Sequence, residues 1–285
     1  MKRSENALNR RKTALNRRGR TILGAALACV LLILICAAGV LWQEEALATD
    51  LARKNLAPCA EHWFGTDFMG RDMLVRTVVG LSMSIRLGAV TAAASALLAA
   101  LLGIGAAVLG KAVDAAVSWF IDLVMGIPHI LLLILISFAV GKGFFGVALG
   151  ITLTHWTSLA RILRGEVLQL SESQYVKMAR KLGHGPGYVA VIHMFPHVLP
   201  QWITGLILLF PHAVLHEASI TFLGFGLSSE QPAIGIILSE SMKYLSMGYW
   251  WLSLLPGAML VAVILLFHWL GRSVCQLLDP ASAHV

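Results

Sequence analysis

Charge is scarce in this chain. Only 13% of its 285 residues are Asp, Glu, Lys or Arg, against 58% hydrophobic. Soluble domains carry about 25% charged residues, so an ordinary soluble fold is excluded. Cysteine is also sparse. Of the four present, Cys29 and Cys36 share one apolar run, roughly 10 Å apart along a helix and too far to bridge. Cys59 and Cys275 stand alone, so no disulfide framework is implied. Complete catalytic motifs are missing as well. Residues 105–112 read G-x-x-x-x-G-K-A, but Ala112 has no hydroxyl for magnesium and the glycines close an apolar helix, which excludes a phosphate-binding loop. His216-Glu217 begins an H-E-x-x-H that Ile220 breaks, so the zinc-protease motif fails. No Ser-His-Asp order and no paired carboxylates suggest catalysis, and no repeat of about 20–50 residues is present.

The basic residues that do occur are concentrated. Of 22 Lys and Arg, eight fall within residues 1–20, directly before an uncharged run. In that setting an Arg-rich tail is a positive-inside topology signal, and the net charge of +7 implies no nucleic-acid partner. The run at 21–42 would be roughly 33 Å long as a helix, enough to span a bilayer. Ala46-Leu47-Ala48 resembles a signal-peptide cleavage site. The apolar part exceeds the usual h-region of about 7–15 residues, which favours a retained helix. Residues 43–86 are polar and expected outside. Gly65 and Gly70 suggest turns there, and Asp67, Arg71 and Asp72 can make charge-assisted bonds that fold the segment.

Five further spans are expected, at about 87–110, 115–140, 144–160, 198–221 and 250–270. In the first of these, Ala89, Ala93, Ala96, Ala100, Gly103 and Ala107 follow helical steps and form a small-residue stripe for close packing. Pro128 is expected to kink the next. That span also holds Asp122, and an ionisable residue at that depth usually faces a bundle interior or a watery path. His155 lies in the following span, and His212, His216 and Glu217 in the outer half of the one after. Two histidines four apart can share a helix face as metal ligands would, or bond neighbouring helices. Asp122, His155, His212, His216 and Glu217 are therefore candidates for lining a translocation path, with no metal ligand certain.

After residue 90, only 161–200 is charged and of mixed polarity over any length. Tyr175, Met178, Ala179 and Leu182 recur at helical spacing, with Lys177, Arg180 and Lys181 on other faces. Gly183 is expected to end this helix at C′, and Gly185-Pro186 to start a second short one. Tyr175, Val176, Ala179, Leu182 and Gly183, followed by His193 and Pro196, resemble the EAA loop of bacterial ABC-importer permeases. The pattern is most similar to the second permease of the dipeptide, oligopeptide and nickel uptake systems. Lys177 stands where the loop's glutamate would be and Met178 where one of its alanines would. The resemblance runs from about His62 to Pro280. It includes His62 to Asp67, Gly70-Arg71-Asp72, Asp114, Asp122, Ile127-Pro128, Thr221 to Gly226 and the closing Asp279-Pro280. An arginine usual at Trp119 and a tryptophan usual at Ile234 are absent.

The resemblance implies an all-α, polytopic membrane protein with six transmembrane helices and the type I ABC-importer permease fold. A basic cytoplasmic tail would occupy 1–20, a first helix 21–42 and an extracytoplasmic segment 43–86. The permease domain would follow at 87–285, with a coupling loop at 166–197. The chain would be a multi-pass subunit of the bacterial inner membrane with both termini cytoplasmic. Its implied partners are a homologous permease, two ATP-binding subunits and an extracytoplasmic substrate-binding protein. ATP and magnesium belong to those motor subunits; this chain is expected to bind no cofactor and catalyse nothing. The coupling residues implied are Tyr175, Val176, Lys177, Met178, Ala179, Leu182, Gly183, His193 and Pro196, with Ala179 on the face that docks on the motor. The cargo is nickel, a metal-opine or metallophore chelate, or a short peptide, and the settings of His155 and His216 resemble the nickel and metallophore branch. A standalone secondary transporter would show symmetric halves and more buried ionisable groups. An intramembrane enzyme would show a complete motif.

Overall fold

Inside hydrocarbon no water satisfies a backbone amide, so a long apolar run must close its hydrogen bonds within a helix. The computed structural model describes residues 2–228 and 231–278, with side chains from residue 18 onward. It contains helices and no strand among those residues. The closing Asp279-Pro280 pair lies outside the described residues.

Helix α1 (Lys2–Leu41) joins the basic tail and the first apolar run. Helix α2 (Met73–Val108) has 36 residues, about 54 Å, whereas about 20 residues suffice to cross a bilayer. It starts well before the expected residue 87, and Asp72 is the reason. The Asp72 Oδ1 accepts from Val75 N at 2.9 Å, capping the helix, and its Oδ2 accepts from His62 Nδ1 at 2.7 Å.

The segment before α2 is folded by one carboxylate. Asp67 accepts from the backbone N–H groups of Met69 and Arg71, from Arg71 Nε at 2.7 Å and from Arg76 Nη1 at 2.6 Å. The Arg76 Nη2 then reaches Glu240 at 3.0 Å. Asp67 and Arg76 are each only 3% exposed. Asp67, Arg71 and Asp72 thus fold this segment, as their charges predict, and Arg76 extends the network into the helix.

The expected third span is not one kinked helix. Helices α3 (Lys111–Gly126) and α4 (His129–Val140) meet at 98°. Proline disfavours helical geometry in the residue before it, and Ile127 (ψ 137°) and Pro128 (ψ 121°) are both extended, so the chain turns a corner. Helix α5 (Phe144–Ser171) follows, then α6 (Gln174–Lys181) and the single turn α7 (Pro186–Tyr188). The second short helix expected at Pro186 is no separate element. It passes through a π-helical turn, Val189–Met194, directly into α8 (Phe195–Phe222). Helix α9 (Ile234–Leu245) fills what the sequence suggests is an outer turn, and α10 (Trp251–Leu278) ends the described fold.

Among the described residues, four segments are long and apolar enough to cross a membrane: Arg18–Leu41, Met73–Val108, Pro186–Phe222 and Trp251–Leu278. The α3–α4 pair makes a fifth if the bent pair is one span. Length and composition therefore give four spans, or five with the bent pair, and not the six expected; α5, which covers the span expected at 144–160, is not among them. It carries Thr152, Thr154, His155, Thr157, Ser158 and Arg161 within its length, yet much of it is buried, including Trp156 and Leu163. A helix shielded from lipid by its neighbours need not be apolar all round.

Helix α2 is the spine of the core. Ala92, Ala96, Ala99, Ala100, Gly103 and Ala106 are buried along it, whereas Ala89 and Ala93 of the expected stripe are exposed. Two overlapping small-residue faces exist on this alanine-rich helix, and spacing alone does not say which one turns inward. Trp202 Nε1 donates to Ala96 O at 2.8 Å, tying α8 to that small face.

Candidate functional site

Two places gather the residues that the sequence singles out. The first is the turn around α6. Its end satisfies both orphan carbonyls of a Schellman cap: His184 N donates to Ala179 O at 3.3 Å and Gly183 N to Arg180 O at 3.0 Å. Gly183 has φ +87°, the left-handed region that a Cβ disfavours. Val176 and Ala179 are buried in the core with Val189 and Met194. Tyr175, Met178 and Leu182 point outward, with Leu182 72% exposed. The expectation that Ala179 docks on a partner is therefore corrected: Ala179 holds α6 against its own chain. Of the apolar positions at helical spacing, the exposed face is Tyr175, Met178 and Leu182.

Charge and aromatic contacts frame this face. Lys177 Nζ lies 2.8 Å from Glu172 Oε2, and that ammonium holds the Glu172 carboxyl below its ordinary value. Tyr175 packs on His197 with ring centroids 5.4 Å apart and nears His193 at 6.5 Å. Pro196 lies at the start of α8, directly after the π-helical turn, and it donates no N–H to that turn. Nothing lies within 4 Å of a Cβ added at Gly183, so a substitution there pays only the backbone strain. We expect Gly183→Val to weaken the α6 cap by about 1 kcal/mol or more. Amide hydrogen exchange should then speed up across residues 174–194 and stay unchanged in α2.

The second place is a cavity of about 580 Å³ at the α3–α4 corner, walled by α5 and α8. His129, the first residue of α4, meets His155 of α5 and His216 of α8 there, with His212 one turn earlier on the same wall. Ring centroids are 4.7 Å apart for His129 and His155, 4.5 Å for His129 and His216, and 5.0 Å for His155 and His216. His129 is absent from the sequence-derived candidates. No sequence signal finds it, because its meeting with His155 and His216 depends on the 98° corner after Gly126, which periodicity does not show.

The remaining two candidates lie elsewhere. Glu217 is fully buried and accepts from Thr221 Oγ1 at 2.9 Å, and it does not line the cavity. Asp122 accepts from Arg161 Nη2 at 2.5 Å, and its side chain is 70% exposed. Next to it Arg164 clasps Asp114 with two bonds, one of them Nη2 to Oδ2 at 2.7 Å. These pairs fasten α3 to α5, with a small cavity of about 240 Å³ between Ser118, Ile121, Asp122 and the two arginines.

Comparison with known proteins follows the same outline. The family model described as the binding-protein-dependent transport system inner membrane component matches residues 99–280. The dipeptide transport system permease protein DppC of Bacillus subtilis (strain 168) is 29% identical over 231 residues, covering 81% of this chain and 72% of that protein. The oligopeptide transport system permease protein OppC of the same organism is 29% identical over 259 residues, covering 91% and 85%. A putative peptide transport system permease protein of Brucella suis biovar 1 (strain 1330) is 33% identical over 255 residues, covering 88% and 86%.

Proposed function

This chain belongs to the family of binding-protein-dependent transport system inner membrane components, and from that premise we propose that it is one permease subunit of an ATP-driven importer of short peptides. The peptide cargo is supported by the relatives' names, dipeptide and oligopeptide permeases. Those names favour it over the nickel or metallophore cargo that the settings of His155 and His216 suggest. In this reading the chain crosses the bacterial inner membrane with both termini cytoplasmic. The polar α5 is one of the crossings, and the α3–α4 corner is another. A homologous permease would cover the exposed apolar side chains of that corner, among them Trp119, Leu131 and Phe138. A substrate-binding protein would deliver cargo from outside, and two ATP-binding subunits would hydrolyse ATP.

The observation that carries the proposal is the exposed face of α6. Tyr175, Met178 and Leu182 stand out from a bundle whose polar turn is otherwise anchored through Val176 and Ala179. An apolar patch ringed by Lys177, Arg180 and Lys181 suits a groove on a soluble partner with acidic edges. Closure of the ATP-binding pair would push α6. The continuous helical run from Pro186 through α8 would pass that movement to the wall that carries His212 and His216.

Met178→Asp combined with Leu182→Asp should leave the chain in the membrane and remove the ATP-binding subunits from the purified complex. Both positions are exposed, so the fold has no reason to fail. Full retention of the motor and an undiminished peptide-stimulated ATPase rate would defeat the coupling role.

A further inference from the structure

We infer that His129, His155 and His216 form a binding site for a divalent late-transition-metal ion inside the corner cavity. The inference goes beyond the permease reading and does not rest on it. Each of the three residues offers a ring nitrogen, and these nitrogens lie within 4.8 Å of one another. Around a tetrahedral ion with bonds of about 2.1 Å, ligand nitrogens sit about 3.4 Å apart. Closing the triangle therefore asks for shifts of roughly 1 Å in the ring nitrogens, within the reach of side-chain rotation.

The hydrogen bonds prepare the rings for that role. His155 Nδ1 lies 3.0 Å from the backbone carbonyl of Ile151, which can only accept. Thr154 Oγ1 lies 3.1 Å from the same nitrogen and also reaches the carbonyls of Gly150 and Ile151; in the tautomer in which Nδ1 donates to the carbonyl, the lone pair is left on Nε2. That Nε2 is buried and has no hydrogen-bond partner in the protein; the Nε2 of His129 shares this condition. A carbonyl on one ring nitrogen and a free lone pair on the other is the arrangement that orients metal-binding histidines. Two buried ring nitrogens without a partner are otherwise costly, whether they carry a proton or a lone pair.

The lining also selects the ion. Four histidines, Thr154, Thr157 and Ser158 supply its polar groups, and no carboxylate is among them. Calcium and magnesium need several oxygen ligands of that kind. Imidazole sets suit zinc, copper and nickel. With three protein ligands in an open cavity, a fourth position is left for water or for a donor atom of a passing molecule. Without a neutralising carboxylate the ion is held by its ligands alone, which fits a station that binds and releases.

Cobalt(II) titration of the full chain in detergent, carrying an affinity tag free of histidine, tests this directly. We expect one ion per chain, with the visible absorption bands of a nitrogen-ligated tetrahedral ion. His129→Ala, His155→Ala and His216→Ala should each weaken binding about tenfold or more. His193→Ala with His197→Ala, beside α6 and away from the cavity, should bind like the parent. The inference is overturned if the unmodified chain shows no such bands, or if the triple alanine variant keeps the same stoichiometry and affinity. A chain that supports peptide uptake with its partners but binds no cobalt defeats the metal site and leaves the permease reading standing. Cobalt binding by a chain that supports no uptake does the reverse.

Discussion

Arg76→Met should lower the stability of the folded chain by about 3–5 kcal/mol, the range for stripping one partner from a buried charge network. Asp67 would keep its backbone bonds and Arg71 but lose its 2.6 Å bond to Arg76, and Glu240 would lose its 3.0 Å bond. The loss falls where residues 45–72, the start of α2 and the middle of α9 meet. Thermal unfolding in detergent and limited proteolysis between residues 45 and 72 would report it. Arg53→Met is the matched control. Its pair with Asp50 is about half exposed on both sides, and such pairs contribute about 0–1 kcal/mol. If the two variants melt together, the network does not anchor the segment.

Gly103→Val should also be hard for the chain to absorb. A Cβ at Gly103 would lie 2.6 Å from the backbone oxygen of Ala160 and 3.0 Å from its Cα. Backbone cannot rotate away as a side chain can, so α2 and α5 must separate. Overpacking of a well-packed core costs about 1–3 kcal/mol, and more where helices have to part. Because α5 carries His155, Arg161 and Arg164, the histidine triangle and both ties to α3 would be disturbed together. We expect poor accumulation in the membrane and aggregation on extraction. Gly105→Val, half a turn further along the same helix, meets only a Leu109 methyl at 3.8 Å and should accumulate normally. Equal yields of the two variants would show that α2 and α5 are not locked by backbone contact.

The α6 turn shows how far a local pattern reaches. Gly183 as the end of a helix and Pro186 as the start of the next are dictated by φ and by a missing N–H, both properties of single residues. They are legible in the sequence because nothing distant takes part. The orientation of α6 is different. Tyr175, Val176, Met178 and Ala179 are half of the short helix, with Leu182 at its end, and either side can face inward. Packing against Val189 and Met194 chose Val176 and Ala179. The stripe on α2 repeats the lesson, since burial of Ala92 and Ala99 rather than Ala89 and Ala93 depends on where α5 and α8 lie.

Composition and hydropathy by themselves determined that long uncharged runs cross a membrane as helices, because a continuous apolar run of about 20 residues closes its amides within itself, whereas a barrel strand is shorter and alternates in polarity. The motif around Gly183, with the signature before α2, determined the family. Only the tertiary structure decided what Pro128 does. A proline restricts the residue before it, but the sequence does not say whether the chain then bends slightly or turns through 98°. That turn brings His129 to His155 and His216, which lie on two other helices. Periodicity measures which residues share one helix face, and contact between faces depends on the relative rotation of whole helices. The pairing of Asp122 with Arg161 and the burial of Glu217 away from the cavity have the same origin: each depends on a neighbour that only the packed bundle supplies.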